Sequence, residues 1–164
     1  MSIIERPAER QAADVFESVD ACRAGVELSP AAARTSARGL RHNVHMAAAM
    51  VDRLSKICLA LPEATRCDGG SHASFLVQKR VFAYFLNNHH GDGIVSIACK
   101  ALPGDNALLV AAQPDRFYLP AYIGPRGWVA LRLDRGKIDW DEVRELVTGS
   151  YRMVAPKRLL KELV

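Results

Sequence analysis

The chain contains no run of eighteen consecutive apolar residues, no Cys-x-x-Cys pair and no glycine-rich phosphate loop, and each absence removes a class of function. Without the first there is no membrane-spanning helix to expect. The four cysteines, Cys22, Cys58, Cys67 and Cys99, show no finger-like spacing with the five histidines, which argues against structural zinc. Gly91-Asp92-Gly93 is too short for a nucleotide fingerprint, and Gly124-Pro125-Arg126-Gly127 has proline where a phosphate cradle needs an N–H donor. There is no Ser-His-Asp signature, and the sequence places no base to activate a cysteine. No catalytic residue is assigned, and a non-enzymatic protein without a cofactor is the expectation.

What is present fits one domain. The length is 164 residues, with 49% hydrophobic and 24% charged residues, enough to bury a core and too apolar for wholesale disorder. Glu5, Glu9, Asp14, Glu17 and Asp20 interrupt the first thirty residues, so these lack the basic-then-apolar layout of a secretory leader. That places the protein in the cytoplasm. The net charge of +4 is spread unevenly. Residues 1–50 are balanced, whereas Arg152, Lys157, Arg158 and Lys161 face only Glu162 in the last fifteen residues. A basic tail suits phosphate or acidic partners, the alternative being a solvated helical face.

Residues 1–45 carry Ala- and Arg-rich stretches such as AAARTSARGLRH and no sustained apolar face, which reads as a poorly ordered extension before a domain at 46–164. In the domain, Leu54, Ile57, Cys58 and Leu61 fall on one face of a helix over 48–61, ended by Pro62. A polar connection at 63–71 leads to two β-rich runs, 74–78 and 81–86, joined as a hairpin with Lys79 and Arg80 at its tip. A third strand follows at 94–100, then a short helix capped by Asp105 and closed by Pro114, a loop through 117–127, and a fourth strand at 128–134. Asp139 with Glu142 starts a helix to Thr148. Pro156 separates this from a basic helix at 157–163. The order implies an α+β domain, an antiparallel sheet with helices on one face.

Cys58 and Cys99 lie in apolar segments and read as buried hydrophobes, leaving Cys67 as the exposed thiol. His89 and His90 with Asp92 supply at most part of a coordination shell, and Asp139, Asp141, Glu142 and Glu145 are helix-start charge favoured by the dipole, so no metal is expected.

Four segments together resemble a known family: SFLVQKRVFAYF from Ser74, HHGDG from His89, RFYLPAYIGPRGWVALRLD from Arg116 and SYRMVAPKRL from Ser150. They are similar to the MmcQ/YjbR family over about 51–164. The resemblance implies a CyaY-like, double-wing α+β domain, described for the family as DNA-binding. Phosphate neutralisation then supplies most of the affinity. The candidate nucleic-acid-binding residues are Lys79, Arg80, Tyr122, Arg126, Arg152, Lys157, Arg158 and Lys161. Among the aromatics near them, Phe117, Tyr118, Trp128 and Tyr151 read as packing residues and Tyr122 as the exposed one. The alternative is a non-enzymatic small-ligand or protein-binding module using the groove near residues 117–128.

Overall fold

In a computed structural model, residues 39–163 are described, so the extension expected at 1–45 lies outside the described residues except for its last seven positions. Those seven are helical. Helix α1 spans Gly39–Leu59 and begins nine residues before the apolar stripe predicts. Ala47, Met50, Leu54 and Cys58 form its buried line, so the apolar face runs about two turns further toward the N terminus than the stripe from Leu54.

The connection read as a loop after α1 contains strand β1, Ala64–Gly69. It is an edge strand, paired on one side only, and its polar residues hide it from a search for apolar alternation. Arg66 bonds Asp68 on its own strand at 2.6 Å and Ser55 of α1 at 2.7 Å. Strands β2, His72–Val77, and β3, Arg80–Asn87, form the expected hairpin. Its tip is shifted by one residue. Val77 and Arg80 pair, and Gln78 and Lys79 make the two-residue turn with φ +46° and +65°. That is the left-handed pair which matches strand twist, and Arg80 is already strand.

Pairing between β2 and β3 jumps from Phe75–Ala83 to Leu76–Val81, leaving Phe82 as a bulged extra residue. Phe82 and Ala83 consequently both join the helix-side core, whereas Val81, Tyr84 and Leu86 join the cluster on the opposite face. Strand β4, Val95–Lys100, helix α2, Asp105–Ala112, strand β5, Phe117–Tyr118, and strand β6, Trp128–Arg132, follow. Gly104 rather than Asp105 occupies the N-cap of α2, without a side-chain cap bond.

Helix α3 runs Trp140–Val154, six residues past the expected end, because Ser150, Tyr151 and Val154 continue the buried stripe of Val143 and Val147. Asp139 caps it as expected, accepting from Asp141 N at 3.0 Å and Glu142 N at 3.3 Å. Helix α4 is a single turn, Lys157–Leu160, shorter than its basic stretch predicts.

The sheet order is β1-β2-β3-β4-β6-β5, antiparallel throughout. Helices α1 and α3 pack on one face around Leu54, Phe75, Phe82, Val147 and Tyr151. Ser150 joins the layers: its hydroxyl donates to the bulged Phe82 carbonyl at 2.5 Å and accepts from Lys100 N at 2.8 Å. A carbonyl displaced from the β2 ladder thereby finds its partner in the covering helix.

Candidate nucleic-acid interface

Strand register determines which charges meet. Arg80 begins β3 opposite Val77, and Lys100 ends β4 opposite Trp128, the first residue of β6. Because β5 runs antiparallel to β6, the connection 119–127 lies at this same end of the sheet. The Ser150 bonds to Phe82 and Lys100 bring the last turn of α3 there too, and α4 follows directly. Lys79, Arg80, Tyr122, Arg126, Arg152, Lys157 and Arg158 therefore gather at one end, and Lys161 follows α4 on an exposed position. Arg80, opposite Val77, stands on the helical face of the sheet, and Lys100, opposite Trp128, on the face of the second cluster, so the two reach this end from opposite faces.

The hairpin tip and the tail are joined through Glu63. Arg158 holds the Glu63 carboxylate at 2.7 and 2.9 Å, and Gln78 of the turn donates to it at 3.1 Å. The bonds from Arg158 and then Gln78 hold the Glu63 carboxyl below its ordinary value of 4.5. A lowered folded-state value means a stabilising contribution present above the unfolded value and lost as pH falls through the folded one. Glu63→Gln is expected to remove this contribution, so that urea midpoints of the variant and the parent, separate at neutral pH, converge below pH 4.5. Parallel profiles down to acid unfolding would show the latch to be energetically silent.

The opposite end differs in charge pairing. There Arg132 is held by Asp134 at 2.6 Å, and Asp92 caps the loop by accepting from Ile94 N at 2.9 Å. Arg116 pairs with Glu142 and Arg144 with Asp141 on the helical side. Among the described residues, Arg80, Lys100, Arg152, Lys157 and Lys161 have no ion-pair partner.

Beside Lys100 lies a cleft of about 970 Å³, lined by Lys100, Asn106, Leu119, Tyr122, Arg126 and Met153 among others. This is the groove anticipated near 117–128. Its walls are tied together, since Asn106 of α2 donates to Gly124 O at 3.0 Å and Trp128 O at 3.4 Å. Gly124 is needed for the close packing of the loop, because a Cβ there would lie 3.1 Å from Leu119 Cβ. Tyr122 has φ +66°, a left-handed conformation uncommon for a bulky side chain, with its residue 43% exposed.

The other aromatics are packing residues, as expected. Phe117 and Tyr151 are buried, Trp128 is 6% exposed and packs on Tyr84 at 5.1 Å between ring centres, and Tyr118 shares a 2.9 Å hydrogen bond with Ser96. Sequence reasoning missed Lys100, Asn106 and Met153. A lysine closing a strand just before Pro103-Gly104 was the available signal for the first. Asn106 and Met153 come to the cleft only through tertiary packing.

Cys58 and Cys99 are buried free thiols, and burial pushes both well above the usual thiol range. Cys67 corrects the expectation of an exposed thiol: it is half-buried against the second cluster. His89 meets His72 with ring centres 5.0 Å apart. Among the described residues, no three His, Cys, Asp or Glu side chains are placed to share a metal ion, and no helix is long and apolar enough to cross a membrane.

Fold and site define an α+β protein with a six-stranded antiparallel sheet, helices on one face and a basic end bearing a preformed cleft. A protein-family model described as YjbR matches residues 59–153, and the chain belongs to that family. The crystal structure of DR2400 of Deinococcus radiodurans, described by the domain DUF419, is similar at 25% identity and a TM-score of 0.55. The match covers 69% of this chain and 86% of that one. No curated protein matches.

Proposed function

We propose that this protein is a non-enzymatic DNA-binding protein that engages the phosphate backbone, with little or no sequence specificity, through the basic end of its sheet. The observation that carries this reading is the convergence imposed by topology: Arg80, Lys100 and Arg126 come from separate elements and reach one end of the sheet, beside Arg152 and Lys157. Arg80, Lys100, Arg152 and Lys157 have no carboxylate partner among the described residues, and such cations suit phosphate oxygens, whose neutralisation releases counterions. Backbone contacts position a protein on nucleic acid without reading bases, which fits an interface of lysines and arginines around a rigid sheet end.

A second reading, a non-enzymatic small-ligand or protein-binding module, has the cleft between Lys100, Tyr122 and Met153 in its favour. Titrating a labelled mixed-sequence duplex with the full chain, followed by fluorescence anisotropy, separates the two. The DNA reading expects saturable binding of roughly 10⁻⁴–10⁻⁶ M at physiological salt, weakening steeply as salt rises. Absence of binding even at low salt overturns it in favour of the cleft module.

A further inference from the structure

We infer that the cleft beside Lys100 and Arg126 receives an unpaired nucleobase stacked on Tyr122, so that the preferred partner is a single strand rather than a continuous duplex. This rests on the nucleic-acid reading above and adds to it the form of the ligand. Three of the large apolar side chains exposed among the described residues line this one cleft: Leu119 at 47%, Tyr122 at 43% and Met153 at 38%. Lys100 and Arg126 line the same cleft. A surface built only for phosphates has no use for these apolar side chains.

A duplex keeps its bases stacked and presents phosphates and groove edges to a protein. Docked on duplex alone, the apolar floor would face water or phosphate. An unstacked base offers a flat face to the exposed part of Tyr122 and to the aliphatic walls, while the phosphates on either side of it reach Lys100 and Arg126. A cleft of about 970 Å³ lies within the range of about 300–1,000 Å³ found for small-molecule sites and has room for one nucleotide.

The site is preformed. Asn106 ties α2 to the loop and to the first residue of β6, and Gly124 lets the loop close tightly on Leu119. Tyr122 is held at φ +66° with Gly124 N bonded to Pro120 O at 2.8 Å and Ile123 N to Ala121 O at 2.8 Å. Backbone held in a sparsely populated region persists where the surroundings over-determine it, and such strain clusters at ligand sites. A rigid aromatic platform loses little entropy when a base settles on it.

The test compares a short labelled single strand with a duplex of equal length, both of mixed sequence, using the full chain at low salt. A 2-aminopurine in the single strand reports stacking directly. The expected result is tighter binding of the single strand, with 2-aminopurine quenched on binding. Tyr122→Ala should weaken the single strand about tenfold, equivalent to about 1.4 kcal/mol and within the range of base–aromatic stacking, and leave duplex affinity within about twofold. Tyr122→Phe should retain both affinity and quenching. Tyr122→Asn, which accepts the left-handed backbone readily, should repeat the loss seen with alanine and so exclude a folding artefact. Equal loss for both nucleic acids, or no loss for either, overturns the base pocket and leaves the phosphate reading standing. Failure of both to bind at low salt overturns the two readings together.

Discussion

Replacing Arg80, Lys100 and Arg152 together by glutamine is expected to lower affinity for duplex DNA roughly 10²–10³-fold at low salt and to reduce the slope of log K against log salt by about 2 to 3. The size follows from counterion release. Each cation that neutralises a phosphate contributes about 0.9 to the slope, and these three stand on β3, β4 and α3 where the sheet end brings them together. Arg80 and Arg152 are exposed and Lys100 is half-exposed, and none has an ion pair among the described residues. The fold should therefore survive, and an unchanged circular dichroism melt is the control. A triple variant with the parental slope would place the phosphate contacts elsewhere on the molecule. The comparison is informative because glutamine keeps much of the side-chain length and removes only the charge.

Tyr151→Ala is expected to be the most damaging single substitution for stability, costing about 3–5 kcal/mol as for other large aromatic truncations in cores. Its ring is fully buried and meets Phe82 edge to face at 5.3 Å, and its hydroxyl donates to the Pro62 carbonyl at 2.7 Å. Truncation opens a cavity behind the β3 bulge and leaves that carbonyl without its donor. Against a typical total of about 5–15 kcal/mol, the loss brings the protein close to unfolding. Tyr151→Phe separates the contributions, removing only the hydrogen bond at a cost of about 0.5–1.5 kcal/mol. Urea unfolding of the three proteins measures both. A loss below about 1 kcal/mol for alanine would contradict the close packing of α3 against the sheet. The same contact bears on the interface, since Pro62 precedes Glu63, which joins the hairpin turn to α4.

Several elements were legible in the sequence for plain physical reasons. The stripe from Leu54 to Cys58, the cap at Asp139 and the apolar run of β3 are local patterns, and their periodicity depends on no partner. The basic tail and the loop carrying Tyr122 were visible as candidates in the same way, from charge and from the bulk of an aromatic among turn residues. The resemblance carried by Gly127-Trp128-Val129 and by Ser150-Tyr151 pointed to the family that the domain match supports. Each of these readings used neighbours within a few residues of one another.

Tertiary structure decided the rest. Strand β1 escaped notice because an edge strand has a ladder on one side only and tolerates Arg66 and Asp68, whose charges meet each other. Strand β5 has two residues and exists only because β6 is beside it. The bulge at Phe82 reverses the alternation of β3, and no local pattern announces that Ser150, far along the chain, will satisfy its carbonyl. By itself the sequence determined the supply of bases, the presence of Tyr122 and the α+β class. The strand order, with β6 between β4 and β5, decided that Arg80, Lys100, Tyr122 and Arg126 share one end. Pairing between distant segments is a property of the whole chain, so the site became visible only once the sheet was assembled.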